Sequence, residues 1–357
     1  MAETNPIGKD EFFALMADFG FDPDDGPFAV AVSGGPDSMA LAHLMKDFGE
    51  VHCLTFDHGL RENSANEANQ VKGWLEKNGL KQTILEWPGD KPRSGIQAAA
   101  RSARYQAMEG WCKKNQMKYL LTAHHLEDQA ETFLMRLLKG SGVDGLAAMA
   151  PKSPGLFDRD ITILRPFLGV SKARLKATLV AKNHPWISDP SNENQNFTRV
   201  KIRTLLKNSN DLDHKTLART AARLARVKGF LKGLTEDFLA DAFVIHPAGY
   251  GVLKKELLFN VPLEIALRCL SKILTFISQS DYPPGLEKLE RLYSFLEKDD
   301  FKGVTLHGCQ VSPIAGGDFL VCREAQKAGE VFYLKPGQNA LWDKRFRVAY
   351  KRGRGGP

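Results

Sequence analysis

The chain has 357 residues, 43% of them hydrophobic, with 49 Lys and Arg against 42 Asp and Glu for a formal charge of +7. That length predicts two or three domains, each rich enough in apolar residues for its own core, and the absence of any run of 18 apolar residues excludes a helical membrane span. Five cysteines (Cys53, Cys112, Cys269, Cys309, Cys322) without C-x-x-C spacing argue against a disulfide framework and against a zinc or iron–sulfur module.

The N-terminal residues lack the basic and apolar pattern of a secretory signal, so a cytoplasmic location is expected. Residues 5–20 read as a short helix whose apolar set is Phe12, Phe13, Leu15, Met16 and Phe19. Phe28 to Val32 then reads as a strand buried on both faces of a parallel sheet. It stops at Ser33, and Gly34, Gly35, Pro36, Asp37 and Ser38 lead into a helix through Met45. Such a strand–glycine–helix turn cradles phosphate oxygens on backbone N–H groups, with the Ser33 and Ser38 hydroxyls as added donors. Asp37 repels phosphate, so its expected use is to hold a Mg2+ ion that neutralises it.

Val51 to Phe56 is the second strand, ended by Asp57, His58, Gly59, Leu60 and Arg61. Ser64 and Glu67 have capping-box spacing before a helix whose face carries Ala68, Val71 and Leu75. Leu80 to Trp87 is a weaker strand, and 95–116 a long helix with Ile96, Ala99, Ala103, Ala107 and Trp111 near one face. Met117 to Thr122 and a helix over Glu127 to Leu138 complete a strand–helix alternation that predicts a doubly wound α/β fold. Three predicted strand ends carry polar clusters: 33–38, 57–61 and 124–131. In such sheets ligands sit at these ends.

Asp128 and Glu131 are spaced i,i+3 and share a helix face, with Leu134, Leu137 and Leu138 continuing toward a core. The two carboxylates either favour the helix dipole or bind an amine, one of them taking a proton as that amine becomes a nucleophile. His124 and His125 lack a third ligand at metal spacing, which favours phosphate contact or local hydrogen bonding.

Residues 140–146 read as a flexible connection, 161–168 as a short strand and turn, and 171–182 as a helix. Pro185 to Asn192 is a turn-rich site loop or a surface loop. Arg199, Arg203 and Lys207 form one basic i,i+4 series; Lys215, Arg219, Arg223 and Arg226 form another, opposite Leu217, Ala221, Leu224 and Leu231. A basic stripe backed by an apolar one suits a helix on an RNA backbone, and a solvated face is the alternative. From about 240 a small mixed domain is expected, with helices at 261–277 and 286–296 and strands at 250–253, 301–306, 319–323 and 331–334. The basic stretch 344–357 reads as a frayed end or as the cut end of a longer chain.

The string Ser33 to Ser38 resembles the pyrophosphate loop of the N-type ATP pyrophosphatases. Asp57 to Arg61, Ala99 to Tyr105, Ala123 to Thr132, Arg165-Pro166, and Asp189 and Asn192 leading to Arg199 and Arg203 extend the likeness to the tRNA(Ile)-lysidine synthetase family. The resemblance implies that ATP adenylates the C2 oxygen of cytidine 34 in the CAU anticodon of tRNA(Ile), and that the ε-amine of L-lysine then displaces AMP. It implies chemistry at Asp37, Asp128, Glu131 and Arg203, with nucleotide binding by residues 33–38, Asp57, His58, Arg104 and His125. Beside it stand the expectations read from the residues themselves: Mg2+ on Asp37, and RNA contacts at Arg199, Lys215, Arg219, Arg223 and Arg226. Arg61 and Arg101 look like further phosphate-, AMP- or RNA-facing residues. A catalytic domain over 1–230 and a tRNA-binding domain over 231–357 are expected, and a homodimer is compatible with this reading. Glu127 stands where Asp is common in the family, and Gln97 where Glu often appears. The rival readings are a tRNA thiolase, which would need cysteines for sulfur, and a non-catalytic RNA-binding module, disfavoured by the retained carboxylates.

Overall fold

The computed structural model describes residues 4–350, apart from 62, 90, 93, 188–197, 210, 326–330, 332 and 344. The chain forms two compact units, Met1–Lys228 and Gly229–Pro357.

The first unit is built on a six-stranded sheet ordered β3-β2-β1-β4-β6-β5. Its strands are β1 (Phe28–Ala31), β2 (Val51–Asp57), β3 (Lys81–Glu86), β4 (Tyr119–Leu121), β5 (Lys152–Pro154) and β6 (Thr162–Leu164). All neighbours pair in parallel except β5 with β6. The chain winds outward from β1 to β3 and returns to β4 on the other side of β1. The crevice at the carboxyl end of β1 is therefore the topological switch point, where open α/β sheets bind ligands.

Eight helices of this unit are α1 (Lys9–Ala17), α2 (Pro36–Phe48), α3 (Ser64–Lys77), α4 (Ile96–Lys114), α5 (Leu126–Leu137), α6 (Val143–Leu146), α7 (Lys172–Ala181) and α8 (Thr198–Asn208). The strand side chains alternate between two cores. Phe28, Val30 and Val32 pack with Phe12, Leu41, Leu44, Leu75 and Leu175 on one face. Ala29, Leu54 and Leu120 pack with Met108 and Cys112 of α4 on the other. Each face of β1 is covered, so its uninterrupted apolar run is what a central parallel strand requires.

Several expectations need correction. The buried face of α4 is Tyr105, Met108, Glu109 and Cys112, not the alanine row, because the larger side chains remove more apolar surface from water. Leu134 is buried, but Leu137 and Leu138 are exposed at the end of α5. Ser64 is the first residue of α3 and makes no capping bond, while Glu67 pairs with Arg61 at 2.9 Å. The 140–146 connection contains α6.

A long helix, α9 (His214–Ala242), contains the boundary between the units. The second unit has a five-stranded antiparallel sheet ordered β7-β8-β11-β10-β9. Its strands are β7 (Phe243–Ile245), β8 (Gly251–Leu253), β9 (Val304–Leu306), β10 (Cys309–Pro313) and β11 (Phe319–Arg323). Helices α10 (Lys255–Phe259), α11 (Leu263–Ser278) and α12 (Leu286–Leu296) share a core with it through Leu258, Leu270, Ile273, Leu292, Val311 and Val321. A hairpin of β12 (Asn339–Trp342) and β13 (Phe346–Ala349) follows, so the stretch after 344 is not wholly frayed. The expected strand at 331–334 does not form among its described residues, where Val331 and Tyr333 are exposed. No helix among the described residues is long and apolar enough to cross a membrane.

Candidate active site

The phosphate cradle follows β1 directly. Gly34 adopts φ +82°, and a Cβ there would lie 2.6 Å from Cγ2 of Val71 and 3.0 Å from Cδ1 of Ile187. Only glycine combines that backbone with that approach. Gly35 precedes α2, and Pro36 opens it, where the missing N–H is harmless. The Ser38 hydroxyl accepts the Ser33 N–H at 3.1 Å and donates to the Gly35 carbonyl at 3.1 Å. Its proton thus tightens the loop, and the Ser33 hydroxyl, on an exposed residue, lies 3.2 Å from that of Ser38.

The first turns of three helices converge on Asp37. Its Oδ2 lies 3.6 Å from Nε2 of His125, just before α5, and 3.4 Å from Nζ of Lys172, the first residue of α7. Its Oδ1 is buried without a hydrogen-bond partner. Asp128 Oδ2 accepts the His125 backbone N–H at 3.2 Å and lies 3.6 Å from its Nε2. Glu127 Oε2 lies 3.0 Å from His125 Nδ1, and both Glu127 oxygens accept the Lys172 N–H, at 3.2 and 3.0 Å.

Charge follows from this packing. Burial opposes a proton on His125, but Glu127, Asp128 and Asp37 outweigh it and hold the imidazole above its ordinary pKa. Burial also opposes ionisation of Asp128, yet the His125 imidazolium and backbone N–H keep its carboxyl below the usual range. His124 differs from its neighbour. Burial, aided by Arg165, Arg101 and Arg104, pushes it down to about 3 against the pull of Asp128, so it is neutral, with Nδ1 2.9 Å from the Thr122 hydroxyl.

Glu131 lies one turn beyond Asp128 and is almost fully buried. Arg203 Nε donates to its Oε1 at 2.5 Å, while Oε2 is buried without a hydrogen bond. Ile202 and Leu206 of α8 bury against Leu134 and so bring Arg203 to α5. The sequence treated Asp128 and Glu131 as one open carboxylate pair. The fold instead gives each a cation, His125 for one and Arg203 for the other. The series Arg199, Arg203, Lys207 is likewise divided, since Arg199 lines the central cleft and Arg203 turns to Glu131.

That cleft has a volume of about 1020 Å³. Ser33, Gly35, Asp37, Ser38, Asp57, His58, Gln97, Arg101, Arg104, His124 and Arg199 line it, so the three polar strand ends do meet. Asp57 Oδ1 accepts the Gly59 N–H at 2.9 Å, and His58 Nδ1 accepts the Leu60 N–H at 3.0 Å, each shaping the turn after β2. The guanidinium groups of Arg101 and Arg104 lie 5.0 and 5.4 Å from the centre of the Tyr105 ring. Of the 185–192 loop, Ile187 donates its N–H to the Gly34 carbonyl at 2.9 Å; Asp189 and Asn192 lie outside the described residues. On α9, Lys215, Arg219, Arg223 and Arg226 are exposed, while Ala221, Leu217 and Leu224 pack on Phe133 and Ala148. Sequence reasoning missed Lys172, whose only signal was a lysine at the start of a predicted helix.

Among the described residues no group of three or more His, Cys, Asp or Glu is placed to hold a metal ion. Cys53, Cys112, Cys269 and Cys309 are buried, and burial pushes each thiol up to about 12.

A PP-loop domain profile matches residues 9–209. The tRNA(Ile)-lysidine synthase of Wolbachia pipientis wMel is 37% identical over 329 residues, covering 89% of this chain and 75% of the relative. That of Rhodopseudomonas palustris is 40% identical over 307 residues, covering 82% and 85%. A U34-tRNA thiolase, NcsA from Methanococcus maripaludis, superposes with a TM-score of 0.51 at 15% identity over 61% of this chain and 78% of that one, a likeness of fold. With the phosphate cradle at the switch point and relatives aligned across both units, the chain belongs to the tRNA(Ile)-lysidine synthase family of PP-loop ATP-binding proteins.

Proposed function

We propose that the protein uses ATP to join the ε-amine of L-lysine to C2 of cytidine 34 in the CAU anticodon of tRNA(Ile). The observation that carries this reading is the identity of 37% to a tRNA(Ile)-lysidine synthase over 89% of the chain, which spans the cleft and the second unit alike. Cytosine O2 attacks the α-phosphorus of ATP and pyrophosphate leaves. The lysine amine then attacks C2, and AMP departs carrying O2. Adenylation is needed because neutral cytosine O2 is a poor leaving group.

The cradle of residues 33–38 binds the phosphates, with Arg101, Arg104 and Arg199 also lining the cleft. Asp37 suits Mg2+, which is commonly held by one or two carboxylates plus substrate phosphates, and its buried, unbonded Oδ1 is a hard oxygen donor. The ion would neutralise charge on the leaving pyrophosphate. Lysine arrives protonated near pH 7. Asp128, held in its ionised form by His125, pairs with that ammonium and orients it. Glu131 adds its unbonded Oε2, and its Arg203 partner disfavours charge on a nearby amine, which promotes the nucleophile.

A thiolase reading has the fold in common but lacks reactive thiols, four of the five being buried and held in the neutral form. Pyrophosphate release from ATP tests the assignment. It is expected only when cytidine-34 tRNA(Ile) is present, with lysine converting the adenylate to product and releasing AMP. Asp37→Asn should abolish pyrophosphate release while leaving tRNA affinity within about twofold. Release independent of tRNA, or a normal rate in that variant, would refute the scheme.

A further inference from the structure

We infer that Lys172 is a phosphate-binding residue for the nucleotide, held on Asp37 while the site is free and positioned by Glu127. The inference rests on the ATP-dependent reading above and adds a residue to it. The cradle from Ser33 to Ser38 contains one charged side chain, and it is an acid. A triphosphate docking there therefore needs cations from elsewhere. Lys172 brings one: its ammonium lies 3.4 Å from Asp37 Oδ2, and its side chain is 42% exposed, so it is close enough to contact phosphates and free enough to swing to them.

Its backbone, by contrast, is fixed. Both oxygens of Glu127 accept the Lys172 N–H, and the Leu126 N–H donates to the Val170 carbonyl at 2.9 Å. Helix α7 is thereby clamped to α5 on the side of His125 and Asp128, and Leu175 and Leu179 bury its other face in the core under the cradle. Glu127 thus acts through Lys172, by fixing where the lysine stem starts. The lysine end of this pair is 42% exposed, so water screens it and the pair adds little to stability, which makes a structural purpose for the ammonium weak. When phosphate enters, the ammonium exchanges one anion for a more highly charged one, and Asp37 is released to a cation bound with the nucleotide.

The test is calorimetric binding of ATP and of adenosine, each with Mg2+ and without tRNA or lysine, to the full chain. Lys172→Ala keeps the backbone N–H that Glu127 accepts. It should weaken ATP roughly tenfold or more, as expected when a charge-assisted hydrogen bond is removed, and leave adenosine unchanged. Lys172→Arg should recover most of the ATP affinity. Glu127→Ala should show a smaller ATP loss with the same adenosine value. Equal ATP affinity in wild type and Lys172→Ala overturns the inference, as does an equal loss for ATP and adenosine, which signals a loosened fold. Failure of the wild type to bind ATP at all would instead remove the functional reading beneath it.

Discussion

The Glu131–Arg203 pair separates two uses of a carboxylate that sequence spacing could not distinguish. Asp128 keeps a partly accessible carboxylate on His125, whereas Glu131 is buried and its charge is offset by a guanidinium 72 positions away. Removing one member of a buried pair strands the other, at about 3 to 5 kcal/mol when both are fully desolvated. Arg203 is 38% exposed, so the cost here should be nearer about 1 to 3 kcal/mol. Arg203→Ala is expected to be the worse substitution, because it leaves a buried carboxylate without its cation; Glu131→Gln leaves a guanidinium that water can reach. Melting temperatures check that order. In kinetics, Glu131→Gln should raise the KM for lysine and lower the lysine-dependent kcat, with adenylation nearly intact. A parallel fall in both steps would make the pair a brace between α5 and α8 and nothing more.

At the scale of elements, helix α2 both closes the cradle and carries His43, whose ring lies 4.2 Å from that of His184 in the segment between α7 and Ile187. Burial, then the charges of His184, Lys182 and Lys46, push His43 down to about 4, and its Nε2 has no hydrogen-bond partner. The folded state therefore holds a neutral imidazole that the unfolded chain protonates below about pH 6.5. Its contribution is present above that pH and is lost as pH falls toward 4, up to about 3 kcal/mol. His43→Leu should flatten the decline of the melting temperature between those limits, and an unchanged pH profile would contradict the assignment. Such contacts explain what the sequence showed and what it hid. The apolar runs of β1 and β2 and the cradle motif are local and were legible. Strand β5 was not: three residues, Lys-Ser-Pro, become a strand only because β6 offers an edge. The Glu127–Lys172 bond joins residues 45 apart, and no periodicity announces it. Glu109 is similar, since its burial makes sense only once its carboxylate is seen to accept the N–H groups of Leu156, Phe157 and Asp158.

For the whole molecule the question is how a chain of net charge +7 engages a large polyanion. Lys215, Arg219, Arg223 and Arg226 occupy one exposed face of α9, and none forms an ion pair among the described residues. Like charges at helical i,i+4 spacing cost about 0.2 to 0.5 kcal/mol per pair, so this face is mildly unfavourable unless something neutralises it. The apolar side that opposes it is buried on Phe133 and Ala148, which fixes the charged side outward. A tRNA backbone would supply the missing charge and release counterions as it binds. Replacing Arg219 and Arg223 together by alanine should then reduce the slope of log K against log salt by about 0.7 to 0.9 for each phosphate no longer neutralised. Affinity should fall for cognate and non-cognate tRNA alike, since phosphate contacts position the ligand without reading sequence. Alanine is the better helix former, so circular dichroism should show α9 intact. An identical slope and Kd in the double variant would make the stripe a solvated surface and move tRNA docking to other cations of the chain.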